Sequence, residues 1–178
     1  MSDVPGENGV CLRLGGLGSV LPRLRQQNRG RRQFRSNFCQ RRDDSVYDAI
    51  GIESLSREAA FIRFTDLNRL PVETIKDNLV VCGFNKQAEV RRGDAFAMLK
   101  ATPDTQFDYL YIAPPQYKEM WFEALKLVDE NPGWLSETGE VIVQIHPREY
   151  QEIELANLQK FEERKYGSTL LVFYEKKG

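Results

Sequence analysis

Three short groups of residues in this chain could bind a ligand, and each follows a strand-like pattern. Asp66 ends an alternating strand pattern, Asp94 follows Gly93 after a weak strand pattern, and Ala113-Pro-Pro-Gln-Tyr117 ends an apolar run. Carboxylates accept hydrogen bonds from hydroxyl and amine groups, and a proline-rich edge that ends in an aromatic residue suits a planar base. Taken alone, each acid is more often a surface or capping residue. The three groups in this order indicate a ligand-binding site more specifically than any one of them alone.

A parallel sheet would bring these groups together. The run Phe107–Ala113 is apolar on both faces, as in a central strand, and the prolines that follow cannot donate ladder hydrogen bonds. Strand patterns over Ala60–Asp66, Ala88–Arg92 and Glu140–His146 alternate with helical patterns. We therefore predict a doubly wound α/β sheet whose carboxyl edge carries the three groups side by side.

The remaining elements follow from periodicity and turn residues. A helix is predicted to begin at Pro71 and to end at Gly83. Short helices are predicted over 50–60 and 95–100, a longer one over 120–128, and a weakly helical stretch over 148–157. Two final strands, 161–165 and 168–175, are joined at Tyr166-Gly167 and predict a closing antiparallel pair.

Charge divides the chain into two parts. Between Asn8 and Arg42 there are nine arginines and no acid, whereas from Asp43 onward 16 Lys+Arg face 24 Asp+Glu, a net of −8. We expect residues 1–45 to be a basic arm and residues 46–178 to be the folded domain. The composition of the arm is compatible with a transit peptide, an RNA-binding tail or a disordered extension without a function. No strand pattern precedes the Leu14–Ser19 glycine run, so we interpret that run as flexible chain.

Several classes of protein are disfavoured by composition. Three cysteines without a CxxC pair and a single histidine are too few for a zinc site. No apolar stretch reaches 18 residues, so we expect no membrane span. The cysteines are typical of a reduced, intracellular protein.

Several stretches together resemble a known family. They are Gly51–Arg57, Asp108–Trp121, Gln144–Pro147 and Arg164–Tyr174. They are similar to the small-subunit ribosomal RNA guanine-N2 methyltransferases over about residues 48–176. The nearest branch is the cyanobacterial and plastid one, in which Ala-Pro-Pro-Gln-Tyr replaces Asp/Asn-Pro-Pro-Tyr/Phe.

The resemblance implies a Rossmann-like methyltransferase fold, truncated at its N-terminus, with S-adenosylmethionine as the methyl donor. It implies that Gly51, Asp66, Asp94 and Ala95 bind the cofactor, Asp66 at the ribose and Asp94 at the adenine. The catalytic edge would consist of Pro114, Pro115, Gln116 and Tyr117. The implied partner is ribosomal RNA or the small subunit, bound by a monomer in the chloroplast or, alternatively, the cytoplasm.

Two departures from the family pattern leave an alternative open. The family's first strand ends in a glycine loop, whereas here Ser45–Ile50 leads directly into Gly51. Ala113 also lacks the acceptor that the commoner motif offers to the amine being methylated. The alternative is therefore a non-catalytic relic of the fold that binds RNA or protein and has lost the cofactor. A DNA adenine-N6 methyltransferase is disfavoured, because its chemistry is tied to Asn/Asp-Pro-Pro-Tyr/Phe/Trp.

Overall fold

The computed structural model describes residues 8–13, 49–114 and 120–178, with only the backbone described for residues 8–13. In these ranges the strands are β1 (Asn8–Arg13), β2 (Phe61–Asp66), β3 (Ala88–Arg92), β4 (Phe107–Ala113), β5 (Leu135–Ile145), β6 (Leu158–Tyr166) and β7 (Thr169–Lys176). The helices are α1 (Ala49–Ser56), α2 (Arg69–Cys82), α3 (Ala95–Lys100) and α4 (Met120–Glu130). None of these helices is long and apolar enough to cross a membrane.

These strands form one sheet in the order β3-β2-β1-β4-β5-β7-β6. The strands from β1 to β5 are parallel to their neighbours, and β7 is antiparallel to both β5 and β6. The turn between β6 and β7 places Gly167 at φ 59°, a left-handed conformation that glycine adopts without strain. The predicted α/β, Rossmann-like sheet with a closing antiparallel hairpin is therefore confirmed.

The central strand comes from the part of the chain that we expected to be a basic arm. β1 lies between β2 and β4, with Cys11 in register with Phe64 on one side and Tyr111 on the other. The prediction that no strand precedes the Leu14–Ser19 run is wrong. A short strand that pairs on both sides needs no alternation of polar and apolar residues. Its pattern therefore could not be distinguished from flexible chain.

Helices cover both faces of the sheet. One face packs Leu99 of α3 and Trp121 of α4 against β4 and β5. The other face packs Leu55 of α1 and Ile75 of α2 against β2. Gly83 ends α2 at φ 78°, as predicted, but α2 begins at Arg69 rather than at Pro71. A proline is tolerated there because N–H groups in the first turn have no intrahelical acceptor.

The predicted weak helix over residues 148–157 is wrong. The chain makes a 3-10 turn at Pro147–Glu149 and then runs irregularly to β6. The buried carboxylate of Asp129 on α4 accepts the backbone N–H groups of Ala156, Asn157 and Leu158 at 2.7, 2.7 and 2.8 Å. These N–H groups are therefore held by a side chain of α4 instead of by a helical ladder.

A charged cluster lies on the side of the sheet where the chain enters β4. Arg63 on β2 is 4% exposed and donates to Glu89 on β3 and to Asp104, both at 2.7 Å. Arg91 donates to the same two acids at 2.6 and 2.9 Å. A buried guanidinium costs free energy unless it is paired, and here two carboxylates pair with it. The cluster fixes β2, β3 and the connection into β4 to one another.

Candidate active site

The carboxyl ends of β1 to β5 lie along one edge of the sheet, because these strands are parallel. From β1 the chain proceeds outward to β2 and β3, and then returns to β4 on the other side of β1. In open α/β sheets, ligands bind in the crevice at the point where the strand order reverses in this way. The carboxyl edge at β1 and β4 is therefore the candidate active site.

The three predicted groups meet at this edge, but not all of them are adjacent. The ends of β2 and β3, which carry Asp66 and Asp94, are neighbours, whereas β1 separates β2 from β4. The expectation that all three ends lie side by side is wrong, because it omitted β1. Asp66 and Pro114 are thus two strand spacings apart, or about 10 Å, and Asp94 is one spacing further from Pro114. An elongated ligand is needed to span both halves.

Asp66 is positioned by the turn that follows β2. The residue is 1% exposed, and its Oδ1 atom accepts the backbone N–H of Asn68 at 2.7 Å. Its backbone carbonyl accepts the N–H of Gly93 at 3.0 Å, which ties the turn after β2 to the turn after β3. The carboxylate is held at the sheet edge as a fixed acceptor, which is what hydroxyl donors of a ribose require.

Asp94 caps the short helix α3. Its Oδ1 atom accepts the N–H of Phe96 at 2.9 Å, and Ala95 is the buried first residue of the helix. The alternative reading of Asp94 as a capping residue is therefore confirmed. Capping engages one oxygen of an exposed carboxylate that has two, so it does not prevent a ligand amine from donating to the same group.

Two apolar side chains next to Asp66 were missed from the sequence. Leu67 is 62% exposed and Leu70 is 69% exposed. Exposed apolar side chains are common on protein surfaces, and Val80 and Val81 are each 65% exposed as well, so what distinguishes Leu67 and Leu70 is their position. The signal that could have found them is their place just after the acid and outside the buried stripe of α2. Their position beside two carboxylates suits a flat heterocycle with polar groups on its rim.

Gly51 lies in α1 and packs against the sheet. A Cβ atom added there would overlap the ring atoms Cζ and Cε1 of Phe64 and would lie 3.3 Å from Cγ2 of Ile62. Close helix–sheet packing is thus a sufficient reason for glycine at this position. A contact between Gly51 and a cofactor stays a prediction, as does one with Ala95.

Of the predicted catalytic residues, Pro114 is described and directly follows the last residue of β4. Pro115, Gln116 and Tyr117 lie outside the described residues, so their roles stay predictions. β4 ends where it was expected to end, because the two prolines cannot continue the ladder. Pro114 thereby marks the β4 side of the crevice.

The sequence interpretation also set aside the glycine run Gly15-Gly16-Leu17-Gly18. The run begins two residues after Arg13, the last residue of β1. Its own structure lies outside the described residues. A glycine run that follows a central strand is a sequence signal for backbone that approaches a ligand closely. The short apolar stretch Val10-Cys11-Leu12 was the clue to that strand.

The groups at this edge fit S-adenosylmethionine chemically. The ligand carries ribose hydroxyls and an adenine amine as donors, and Asp66 and Asp94 offer carboxylate acceptors on neighbouring strands. Leu67 and Leu70 offer apolar surface for the adenine ring. The geometry places these groups on one side of the crevice and leaves the β4 side for a second ligand.

Comparison with known proteins gives matches over most of the chain. A family model described as conserved hypothetical protein 95 matches residues 48–175. The Bacillus subtilis protein named "Putative rRNA methyltransferase YlbH" is 33% identical over 132 residues, which are 72% of this chain and 71% of that protein. "Ribosomal RNA small subunit methyltransferase D" of Haemophilus influenzae is 31% identical over 100 residues. That match spans 54% of this chain and only half of the relative.

A solved structure gives the same picture at the level of the fold. The crystal structure of a "putative methylase" from Haemophilus influenzae superposes with a TM-score of 0.63 and 26% identity. The superposition covers 72% of this chain and 80% of that one.

Proposed function

Because the chain belongs to the conserved hypothetical protein 95 family, we propose that it is an S-adenosylmethionine-dependent methyltransferase of ribosomal RNA. Its relatives named as rRNA methyltransferases support this assignment. The finer proposal is transfer of a methyl group to the exocyclic N2 of a guanine in small-subunit RNA. It rests on the resemblance of Asp108–Trp121, Gln144–Pro147 and Arg164–Tyr174 to the enzymes that perform this reaction.

The observation that carries the proposal is the arrangement of the carboxyl edge. The strand order places Asp66 and Asp94 together on one side of β1 and Pro114 on the other. A methyltransferase needs two adjacent subsites, one for the methyl donor and one for the base. The β2–β3 side provides acceptors for the donor's ribose and adenine, and the β4 side lies next to it across a single strand.

On the cofactor side, side chains and backbone of this chain bind and orient S-adenosylmethionine. S-adenosylmethionine, when bound, supplies a methyl group on a positively charged sulfur. Asp66 accepts hydrogen bonds from the ribose, and Asp94 accepts one from the adenine amine. We include Gly15, Gly16 and Gly18 in this subsite, because they follow the central strand and have no Cβ to keep a ligand from the backbone.

On the substrate side, the residues after β4 hold the base. Pro115 restricts the preceding Pro114 to an extended backbone, and Tyr117 offers a ring on which an unstacked base can stack. Methyl transfer from a sulfonium depends chiefly on holding the two reactants in line at short range. No side chain with a shifted pKa is needed as a general base.

The arginine-rich segment is proposed to bind the RNA backbone. In the sequence it lies between β1, whose end is at the carboxyl edge, and α1. Arginines that neutralise phosphates release counterions, which draws RNA to the edge where the base must enter. Removal of residues 1–45 as a transit peptide would also remove β1, which favours the RNA-binding alternative. A chloroplast location stays part of the proposal, with a cytoplasmic location as the alternative.

A second candidate function is supported by two specific observations. Residues 14–48 separate β1 from α1, whereas such connections usually have two to six residues. Ala113 also offers no acceptor to a substrate amine. A chain in which these features abolish cofactor binding would be a non-catalytic relic that binds RNA or protein.

Methyl transfer to RNA tests the first function against the second. The full chain is incubated with labelled S-adenosylmethionine and an unmodified small-subunit RNA transcript, and the RNA is digested to nucleosides. We expect label in N2-methylguanosine, and loss of that label with Asp66→Ala. A folded protein that labels no RNA, or that labels another nucleoside, contradicts the proposal.

A further inference from the structure

The side chains of Tyr111 and Gln144 form a polar pair at the candidate active site. The hydroxyl of Tyr111 on β4 donates a hydrogen bond to Oε1 of Gln144 on the adjacent strand β5. Tyr111 is 8% exposed, and Gln144 is half-buried. A buried hydroxyl that donates to the amide oxygen fixes which end of the amide is oxygen and which is nitrogen.

The strand register places this pair beside Ala113. Tyr111 is in register with Ile142, and Ile112 with Val143. One residue further along the parallel ladder, Ala113 stands next to Gln144, about 4.8 Å away across the sheet. Side chains in register share a face. The hydrogen bond from Tyr111, two residues before Ala113, agrees with this placement. Gln144 thus presents an amide next to the position at which β4 presents only a methyl group.

A glutamine amide at this position complements one edge of guanine. The amide oxygen has two lone pairs, of which Tyr111 uses one, so the other can accept a proton of the exocyclic N2 amine. The amide NH2 group can donate to the neighbouring ring nitrogen N3. The same pair of bonds is not available with hypoxanthine, the base of inosine, which lacks the amine.

We infer that Gln144 contacts the exocyclic amine of the target guanine and that Tyr111 is the positioning residue that orients the Gln144 amide. The inference rests on the proposed function and adds to it the specificity-determining residue of the substrate subsite. In the transfer, the lone pair of N2 forms a bond to the methyl carbon. The carbon–sulfur bond breaks with its electron pair left on sulfur, and N2 releases a proton to water. Gln144 holds the amine for this attack and takes no proton.

Substitutions separate this role from a structural one. Gln144→Ala is expected to lower kcat/KM for small-subunit RNA at least tenfold, while the affinity for S-adenosylhomocysteine stays within twofold. Tyr111→Phe is expected to lower kcat with that affinity unchanged. Adding Ala113→Asn to Gln144→Ala returns an amide to the neighbouring strand and is expected to recover activity. Gln159→Ala, on the exposed strand β6 where Gln159 donates to Glu175, is the matched control and should change nothing.

A second readout does not depend on turnover. The 15N-labelled full chain is titrated with guanosine monophosphate and, separately, with inosine monophosphate. The side-chain NH2 signals of Gln144, identified by their absence in Gln144→Glu, are expected to shift with the first nucleotide only. Equal shifts with both nucleotides, or wild-type kcat/KM in Gln144→Ala, overturn the inference. A wild-type chain that transfers no methyl group but shows the selective shift contradicts the proposed function and leaves the contact with guanine standing.

Discussion

The backbone N–H of Gly93 donates to the carbonyl oxygen of Asp66 at 3.0 Å, which joins the turns that follow two neighbouring strands. This bond sets the spacing between Asp66 and Asp94, the two carboxylates of the proposed cofactor subsite. The pair is therefore fixed by backbone before any ligand arrives. Acceptors that are already in place lose little entropy when a ligand binds, so more of their hydrogen-bond energy contributes to affinity. Substituting either acid should therefore change the affinity for the cofactor measurably.

Asp94 has a structural role as the cap of α3 and a proposed role in binding the cofactor, and substitutions can separate the two. Asp94→Asn keeps an oxygen to cap α3, whereas Asp94→Ala removes the cap at a cost of about 1 kcal/mol. Hydrogen bonds to a charged acceptor contribute about 1.5–3 kcal/mol, so both variants should bind S-adenosylhomocysteine about tenfold or more weakly. Calorimetry and thermal unfolding together check this. Unchanged affinity in Asp94→Asn, with unchanged stability, would remove Asp94 from the site.

Gly51 should tolerate no larger residue. A Cβ atom at this position overlaps the ring of buried Phe64, so Gly51→Ala should destabilise the fold by about 1–3 kcal/mol. Gly93→Ala is the control, because a Cβ there has no heavy atom within 4 Å. Urea unfolding measures both variants. Equal stability of the two would mean that α1 does not pack on β2 as closely as described.

Asp104 should make the fold sensitive to acid. The hydrogen bond from Arg63, and then that from Arg91, lower the pKa of Asp104 from its ordinary 3.8 to about 2. A carboxyl whose pKa is lower in the folded state stabilises the fold above its unfolded pKa, and that contribution is lost as the pH falls. The free energy of unfolding should therefore decrease between about pH 4 and pH 2.

Urea unfolding at pH 5, 4, 3 and 2.5 tests this dependence. Asp104→Asn should remove part of the decrease, because the amide does not titrate. Asp77→Asn, at an exposed acid of α2, is the control and should follow the wild type. Superimposable curves for the wild type and Asp104→Asn would show that the cluster around Arg63 does not couple folding to that proton.

Asp129 holds the connection into β6 through three backbone N–H groups. Asp129→Ala leaves these donors without their acceptor and should lower the free energy of unfolding by about 3 kcal/mol. Compared with the wild type, hydrogen exchange in this variant should increase most at the backbone N–H groups of Ala156, Asn157 and Leu158. Glu130→Ala, at the exposed neighbouring position on α4, should have almost no effect. A loss of stability in both variants would point to α4 itself rather than to the carboxylate.

The arginine-rich segment should give RNA binding a strong salt dependence. If Arg31 and Arg32 each neutralise a phosphate, the double change to glutamine should lower the slope of log affinity against log salt by about 1 per residue. Arg57→Gln is the control, because Arg57 lies just after α1 and pairs with Glu53. Filter binding to a small-subunit RNA transcript at several salt concentrations measures the slopes. An unchanged slope would assign phosphate contact to other residues.

Most of the fold could be predicted because its elements are either long and periodic or bounded by proline and glycine. β4 ends immediately before Pro114 and α2 ends immediately before Gly83, and both boundaries were predicted from residue type. The hairpin of β6 and β7 was predicted from its turn. These are local properties of the chain, and local physics determines them.

What could not be predicted depends on contacts between distant parts of the chain. β1 has six residues and becomes a strand by pairing with β2 and β4. Its absence from the prediction led to the wrong neighbours for Asp66 and to the dismissal of the glycine run that follows it. The stretch after His146 is not helical, because the Asp129 carboxylate of α4 accepts its backbone N–H groups. A contact with another element cannot be predicted from a local pattern.

Calorimetric titration of the full chain with S-adenosylmethionine and S-adenosylhomocysteine tests the central claim most directly. We predict micromolar binding of both ligands, weakened at least tenfold by Asp66→Ala, because the carboxyl edge at β2 and β3 holds the ribose and the adenine. The absence of binding at millimolar ligand, with the protein shown to be folded, would contradict the proposed enzymatic function. It would leave the alternative, a non-catalytic methyltransferase fold that binds RNA or protein and has lost the cofactor.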